Sequence, residues 1–290
     1  MVQVGRFKIV SVVNGTFRLD GGAMFGVVPK ALWAKQAEPD EENRIPLAMR
    51  TLIAVDETSD RVVLVDTGAG HKWSEQEGER FALQPRRQAI AQGLSRFGLS
   101  EASVTDVVVT HLHFDHNGGL TEWVDEPGAA TRLRFPQARH WLHRRQWEHA
   151  QAPTIRDQAS YLERDLQSLK AEGVLTLVEG DDPPPPWEGM RWMLSHGHTP
   201  GQLLPLFDGG SGEPSLLFAG DAIPTSGHLK IAWAMAFDLY PRVMLDEKKR
   251  ILELCREHGT WLAFPHDPEI GGVVLDLSAG RPIIAHELDL

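Results

Sequence analysis

Apolar positions along this chain come in two rhythms, short β-rich runs and stretches spaced for one face of a helix. FKIVSVVNGTFRLDGG near the N-terminus and TLIAVDETSDRVVLVDTG after residue 50 are strand-like, the second broken by the turn-forming ETSD. They predict antiparallel strands. LQPRRQAIAQGLSRF places Ala89, Ile90, Leu94 and Phe97 at helical spacing, and VTDVVVT then returns to a short buried strand. RRQWEHAQ and DQASYLERDLQSLKAEG read as helices, the second with Tyr161, Leu162, Leu166 and Leu169 on one face. Strand signals resume at VLTLVEG, MRWMLSHG, PSLLFAGD and TWLAFPHD, with a helix over 245–257 between the last two. Strands mixed with covering helices predict an α/β layered domain spanning residues 1–290. DDPPPPWEG, residues 181–189, reads as a stiff surface connection inside that domain.

Composition narrows what such a domain can meet. The 290 residues carry 29 Lys and Arg against 40 Asp and Glu, a net charge of −11. That balance disfavours nucleic acid, whose binding depends on basic side chains releasing counterions. The basic run Lys248, Lys249, Arg250 reads as a solvated helix face. A single cysteine permits no intrachain disulfide and fits a reducing compartment. Cys255 shares a helical stripe with Ile251, Leu252 and Leu254, so a packed thiol is the expectation. The N-terminus shows no secretory h-region and no apolar run reaches membrane-spanning length, so a soluble cytoplasmic protein without a membrane partner is expected.

One stretch departs from ordinary patterning. THLHFDHNGG, residues 110–119, follows the apolar run Val107, Val108, Val109 and packs His111, His113, Asp115 and His116 into six positions. Alternate residues of an extended segment face one side, so His111 and His113 can address one centre, while Asp115 and His116 turn toward a second. Imidazole and carboxylate suit a borderline divalent ion such as zinc. Burying these groups without a cation would cost several kcal/mol, about the penalty of unpaired buried polar groups. Gly118 and Gly119 permit a sharp turn where a helix can start. One segment has too few ligands for a closed site. Further candidates stand after other apolar runs: His196 and His198 in SHGHTPGQ, Asp221 in FAGD, and His266 in FPHD.

HLHFDHNGG, GHTPGQ, AGD and FPHD, in this order, resemble the metallo-β-lactamase superfamily, and VDTG at residues 65–68 matches a further strand-end element of it. The resemblance extends from VSVVNG to FPHD and is greatest to the branch holding N-acyl-homoserine lactonases and organophosphate hydrolases. It implies a four-layer αββα sandwich with two divalent ions, zinc first, with manganese, cobalt and iron also suited. It implies that His111, His113 and His198 hold one ion, that Asp115, His116 and His266 hold the other, and that Asp221 bridges them. It further implies a bridging hydroxide as nucleophile, Asp115 as proton shuttle and Asp66 as a group orienting a ligand; Asp66 as a plain turn residue is the alternative. His198 is preferred to His196 by glycine spacing and family pattern.

The reaction this implies is hydrolysis of an ester-like bond in a small molecule, a lactone first, with phosphotriester or thioester hydrolysis as the alternative. A metal-dependent redox or sulfur-handling protein, or an inactive metal-binding scaffold, is the reading from another class. Lactonases of this type often carry a tyrosine three residues after the bridging aspartate; this chain has Pro224 there, which puts the substrate in question. Tyr240, His228, Thr225 and Ser226 are candidate replacements. The aromatic-rich loops DGGAMFGVVPKALW and HLKIAWAMAFDLY suggest a substrate pocket lined by Met24, Phe25, Trp33, His228, Trp233, Met235, Phe237 and Tyr240, with core cover or a homodimer contact as the alternative for these loops.

Overall fold

The computed structural model describes residues 1–171 and 173–290. Two long strands, Phe7–Asp20 and Arg44–Asp56, pair antiparallel through most of their length, and Val62–Val65 pairs antiparallel with the second across the ETSD turn. The sheet then becomes parallel through Asp106–Val108, Arg139–His143 and Leu175–Val178. Val2–Val4 closes the opposite edge. DDPPPPWEG carries the chain from this sheet into a second one. Its strand order is Met190–Ser195, Gln202–Phe207, Leu216–Phe218, Trp261–Ala263, Gly272–Asp276 and Ile283–Glu287.

The sheets face one another across a core in which Phe7, Ile9, Leu52, Val63 and Val108 meet Phe207, Leu216, Phe218 and Ala263. Strands buried on both faces need near-continuous apolar runs, as VVLV and QLLPLF supply. Outside the first sheet, Ile53, Leu64 and Val107 pack under Ile90 and Leu94 of the helix Ala89–Ser95 and under Ala150 of the helix Arg144–Gln151. Outside the second, Met244, Ile251, Leu252 and Cys255 of the helix Pro241–His258 cover Leu204, Leu217 and Leu262. The order helix, sheet, sheet, helix is the αββα sandwich expected. Burial pushes the Cys255 thiol up to about 12, as suits a packed core thiol. Among the described residues no helix is long and apolar enough to cross a membrane.

Two expectations fail locally. The stretch 157–173 is not one helix, and its residue 172 lies outside the described residues. It breaks into the single turns Gln158–Ser160, Glu163–Leu166 and Gln167–Lys170, with Tyr161 extended. Tertiary anchors override the helical period: the Tyr161 hydroxyl meets Thr199 at 2.9 Å and Gln146 at 3.2 Å, and buried Asp165 pairs with buried Lys72 at 3.0 Å. Nor is the run at 248–250 wholly solvated. Lys249 and Arg250 are exposed, but Lys248 is 1% exposed and donates to the carbonyls of Lys230 and Trp233, both at 2.7 Å.

Candidate functional site

The four segments that the sequence marks leave strand ends and converge. His111 follows Asp106–Val108, His198 follows Met190–Ser195, Asp221 follows Leu216–Phe218 and His266 follows Trp261–Ala263. Their inward atoms form three overlapping sets, each within 4.8 Å: His111, His113 and His198; Asp115, His116 and His266; His111, His116 and Asp221. Asp221 lies between the first two sets. Its Oδ2 is 3.3 Å from His198 Nε2, while Oδ1 is 3.2 Å from His116 Nε2 and 3.1 Å from His266 Nε2.

The outer nitrogens fix the tautomers and show that the cluster suits a cation. His266 Nδ1 faces the Ala48 carbonyl at 2.8 Å and so carries a proton there. His116 Nδ1 faces Asp66 and His198 Nδ1 faces Asp238, at 2.8 and 3.0 Å, with the same consequence. Thr110 Oγ1 gives its hydrogen to Asp66 Oδ2 and therefore accepts from His111 Nδ1. The Nε2 atoms of all four rings then point lone pairs inward. His116 Nε2 and His266 Nε2 stand 3.0 Å apart, where two neutral rings have no hydrogen to share. His113 Nδ1 lies 3.0 Å from His111 Nε2 and 3.1 Å from His198 Nε2, so one hydrogen could satisfy only one of them. A divalent ion among such lone pairs removes the conflict, and spacings near 3 Å match donors about 2.0–2.1 Å from a shared zinc. Asp221 Oδ1 has no hydrogen-bond partner among the described residues, as an atom reserved for a cation should.

The histidines divide by charge: burial would lower His116 and His198, but Asp221, with Asp115 and Asp66 at His116 and with Asp238 at His198, holds both above the ordinary histidine range, as a site built for positive charge should. Burial, reinforced by neighbouring imidazoles, pushes His111 and His113 well below the ordinary histidine range, which keeps them neutral. Burial would raise the Asp221 carboxyl, but His266, His116 and His198 hold it well below the usual carboxylate range.

Asp66 is 1% exposed and sits at φ 57, a backbone region uncommon for a side chain other than glycine. Its two oxygens take the Thr110 amide, the Thr110 hydroxyl and His116 Nδ1, so one carboxylate sets both ends of the motif loop. Gly118 and Gly119 serve close approach, and a 3-10 turn, Gly118–Leu120, starts at the first of them. A Cβ on them would strike the carbonyls of Ala69 and Thr67, and the local helix, Phe114–Asn117, begins before them.

Other supporting residues carry weaker sequence signals. Asp238 orients His198. Glu247 accepts from the Ser195 hydroxyl and the amides of His196 and Gly197, shaping the turn that delivers His198. Gln202 Oε1 receives the Asp221 amide at 2.9 Å, and buried Arg50 donates to the carbonyls of Phe264 and Asp267 on either side of His266. Gln202 ends the GHTPGQ motif and Asp238 lies within HLKIAWAMAFDLY, but nothing in either stretch marks them as supports.

The centre floors a 590 Å³ cleft lined by His113, Asp115, His198, Asp221 and His266. Met24, Met235 and Phe237 line it, as do Phe17, Trp73, Phe81 and Phe114. The remaining expected pocket residues lie elsewhere. Phe25 is buried between Trp33 and His228, ring centroids at 5.5 and 4.6 Å, and Trp233 meets its edge. His228 is 1% exposed and spends both nitrogens on Thr225 Oγ1 and the Met24 carbonyl, and burial pushes it down to about 3. Tyr240 is half exposed at the start of the last helix, where its amide clamps Gly197. Ser226 is bound to Asp267, and the Pro224 carbonyl receives the His266 amide at 3.0 Å. None of the four candidate replacements for the tyrosine lines the cleft. His196 is in none of the three sets; its nitrogens face Gly201 and Arg145.

Sandwich and convergent histidine–aspartate cluster define a class: the chain belongs to the metallo-beta-lactamase superfamily, whose model matches residues 51–266, and it is a metal-dependent hydrolase with a dinuclear metal-binding cluster. Among individual proteins, it is 26% identical over 283 residues to a probable metallo-hydrolase of Mycobacterium tuberculosis, covering 86% of each chain. It is also 26% identical over 223 residues to an N-acyl homoserine lactonase of Bacillus thuringiensis, covering 73% of this chain and 79% of that one. The crystal structure of a probable metal-dependent hydrolase from Staphylococcus aureus superposes with a TM-score of 0.85 at 27% identity, covering 99% of this chain and all of the other.

Proposed function

We propose that the protein hydrolyses an ester-type bond in a small molecule, with a lactone as the foremost substrate. His111, His113 and His198 would hold one divalent ion and Asp115, His116 and His266 a second, with one oxygen of Asp221 directed to each; zinc is the proposed metal, and manganese, cobalt or iron suit the same donors. Ions held by these residues would supply an activated water as nucleophile at neutral pH and Lewis-acid polarisation of the scissile carbonyl. The observation that carries this reading is the set of inward lone pairs at the floor of a cleft with an apolar wall. Similarity to an N-acyl homoserine lactonase supports the choice of a lactone.

The chain's own residues do the remaining work. Met24, Met235 and Phe237 receive an apolar acyl group and exclude water from it. Asp66 and Asp238 hold His116 and His198 in the tautomer that presents Nε2 inward. Asp115 lines the cleft, where its carboxylate can carry a proton to the departing alkoxide. Tyr240, His228, Thr225 and Ser226, the candidates for the role of the tyrosine absent at Pro224, do not line the cleft, so carbonyl recognition is assigned to its floor.

The test is proton release in weak buffer as metal-replete protein meets acyl-homoserine lactones, simple lactones, aryl esters, thioesters and a phosphotriester, with His113→Ala as control and metal content measured in parallel. Fastest turnover on lactones and a silent control are expected. Turnover confined to phosphotriesters or thioesters would overturn the lactone assignment, and a fully loaded protein that turned over nothing would overturn the hydrolytic reading.

A further inference from the structure

In a chain of net charge −11, three arginines line the cleft: Arg164 and Arg80 beside Trp73 and Phe81, and Arg156 beside Ala236, between Met235 and Phe237. Arg164 is braced from two sides. Its guanidinium lies 4.8 Å from the Trp73 ring, Nη1 donates to Glu77 at 2.6 Å, and Nε and Nη2 are buried with no partner among the described residues. The backbone beneath it is fixed by the neighbouring Asp165–Lys72 pair, and Lys72 also donates to the carbonyls of Gly118 and Thr121 beside the histidine motif. Arg164 is thereby held in register with the metal cluster. Arg80 is exposed, 5.6 Å from the Phe81 ring, and Arg156 is exposed with one bond to the Ala236 carbonyl. Neither has a carboxylate partner among the described residues. On the acidic side, Glu77 is bound by Ser74 as well as Arg164, and Asp157 is taken by His149 at 2.6 Å and Thr154 at 2.6 Å. Away from the histidine cluster, three guanidiniums therefore share the cleft with two carboxylates, each already hydrogen-bonded.

We infer that these cleft arginines, Arg164 foremost, form an anion subsite, and that the substrate is an ester or lactone whose apolar body ends in a carboxylate. The inference rests on the hydrolytic reading above and adds the substrate's charge to it. Trp73 and Phe81 take the apolar body along their ring faces, and the guanidinium fork takes the two carboxylate oxygens. A neutral acyl chain would leave these cations facing apolar atoms. A charge-assisted contact of this kind favours the anion by about tenfold to hundredfold.

Two measurements test it. In metal-free protein, calorimetry compares 4-phenylbutyrate with 4-phenylbutyramide, which share shape and differ in charge. The carboxylate should bind at least tenfold more tightly, and Arg164→Gln should abolish most of the difference. Arg80→Gln, at an exposed position, should reduce it severalfold and serves where Arg164→Gln fails to fold. Equal binding of the two probes, or a preference that survives the substitutions, overturns the subsite. In metal-loaded protein, p-nitrophenyl hexanoate is compared with the mono-p-nitrophenyl ester of adipic acid. Higher kcat/KM for the anionic ester, through KM and dependent on Arg164, supports the inference. Hydrolysis of both esters with no charge preference overturns the subsite and leaves the hydrolase reading standing. No hydrolysis, with carboxylate binding still dependent on Arg164, overturns the hydrolase reading and leaves the subsite standing.

Discussion

From the first sheet the candidate centre takes four side chains off one loop, His111 to His116; from the second it takes His198, Asp221 and His266 off three separate strand ends. The supports differ accordingly. A single carboxylate, Asp66, ties the start of the loop to His116. The second sheet uses an independent prop for each residue: Asp238 for His198, Gln202 for Asp221, and the Ala48 carbonyl for His266. The buried lysines differ in the same sense. Lys72 has a carboxylate partner, whereas Lys248 pins the loop that bears Asp238 with two backbone carbonyls alone. A compact loop concentrates its dependence in one residue; a dispersed set spreads it over several.

The largest expected effect lies where the two halves meet. Asp221→Ala should lower metal occupancy and turnover together, by more than the about 10–100-fold that loss of a ligand's outer partner costs; unchanged metal content and rate would remove Asp221 from the site. Next comes the contrast between props. Asp66→Asn keeps a residue that tolerates positive φ, so it removes charge without forcing the backbone, and should cost near the upper end of that range, about 100-fold in rate or metal affinity. Asp238→Asn should cost nearer about 10-fold. Equal losses would show that the loop does not concentrate its dependence in one carboxylate.

A smaller effect should separate the lysines by pH. Burial pushes Lys248 from 10.5 down to about 7, so between these values the unfolded chain binds the extra proton. Stability of the parent relative to Lys248→Met should therefore rise as pH increases from about 7 toward 10.5, as followed by denaturant midpoints. A flat difference would mean that Lys248 stays charged in the folded protein. The smallest effect is expected at Tyr240→Phe. Its ring is half exposed away from the cleft wall, and kcat/KM should change by less than about twofold, the scale of a surface substitution.

Much of the architecture is legible in the chain because strands buried on both faces must be written as apolar runs. The metal chemistry is legible because four ionisable groups in six residues are difficult to explain without a cation. VVLV, DVVV and SLLF announced their strands, and HLHFDH its cluster. The failures share a cause. DQASYLERDLQSLKAEG has helical spacing, yet a buried pair with Lys72, far away in sequence, breaks it into single turns. Glu247 and Lys248 sit in a run that reads as a wet helix face, and only the loop folded over that helix shows them buried.

The sequence by itself determined the residue types at each strand end, and with them the kind of ion the site can hold, because donor chemistry is a property of the side chain. Tertiary structure alone decided which nitrogen of each imidazole points inward, that each oxygen of Asp221 faces a different set, and that Phe25 and His228 stack on one another while Arg164 reaches the cleft wall. Those outcomes depend on hydrogen bonds and packing between segments up to 218 residues apart, as from His266 to Ala48, and local pattern carries no record of such distances.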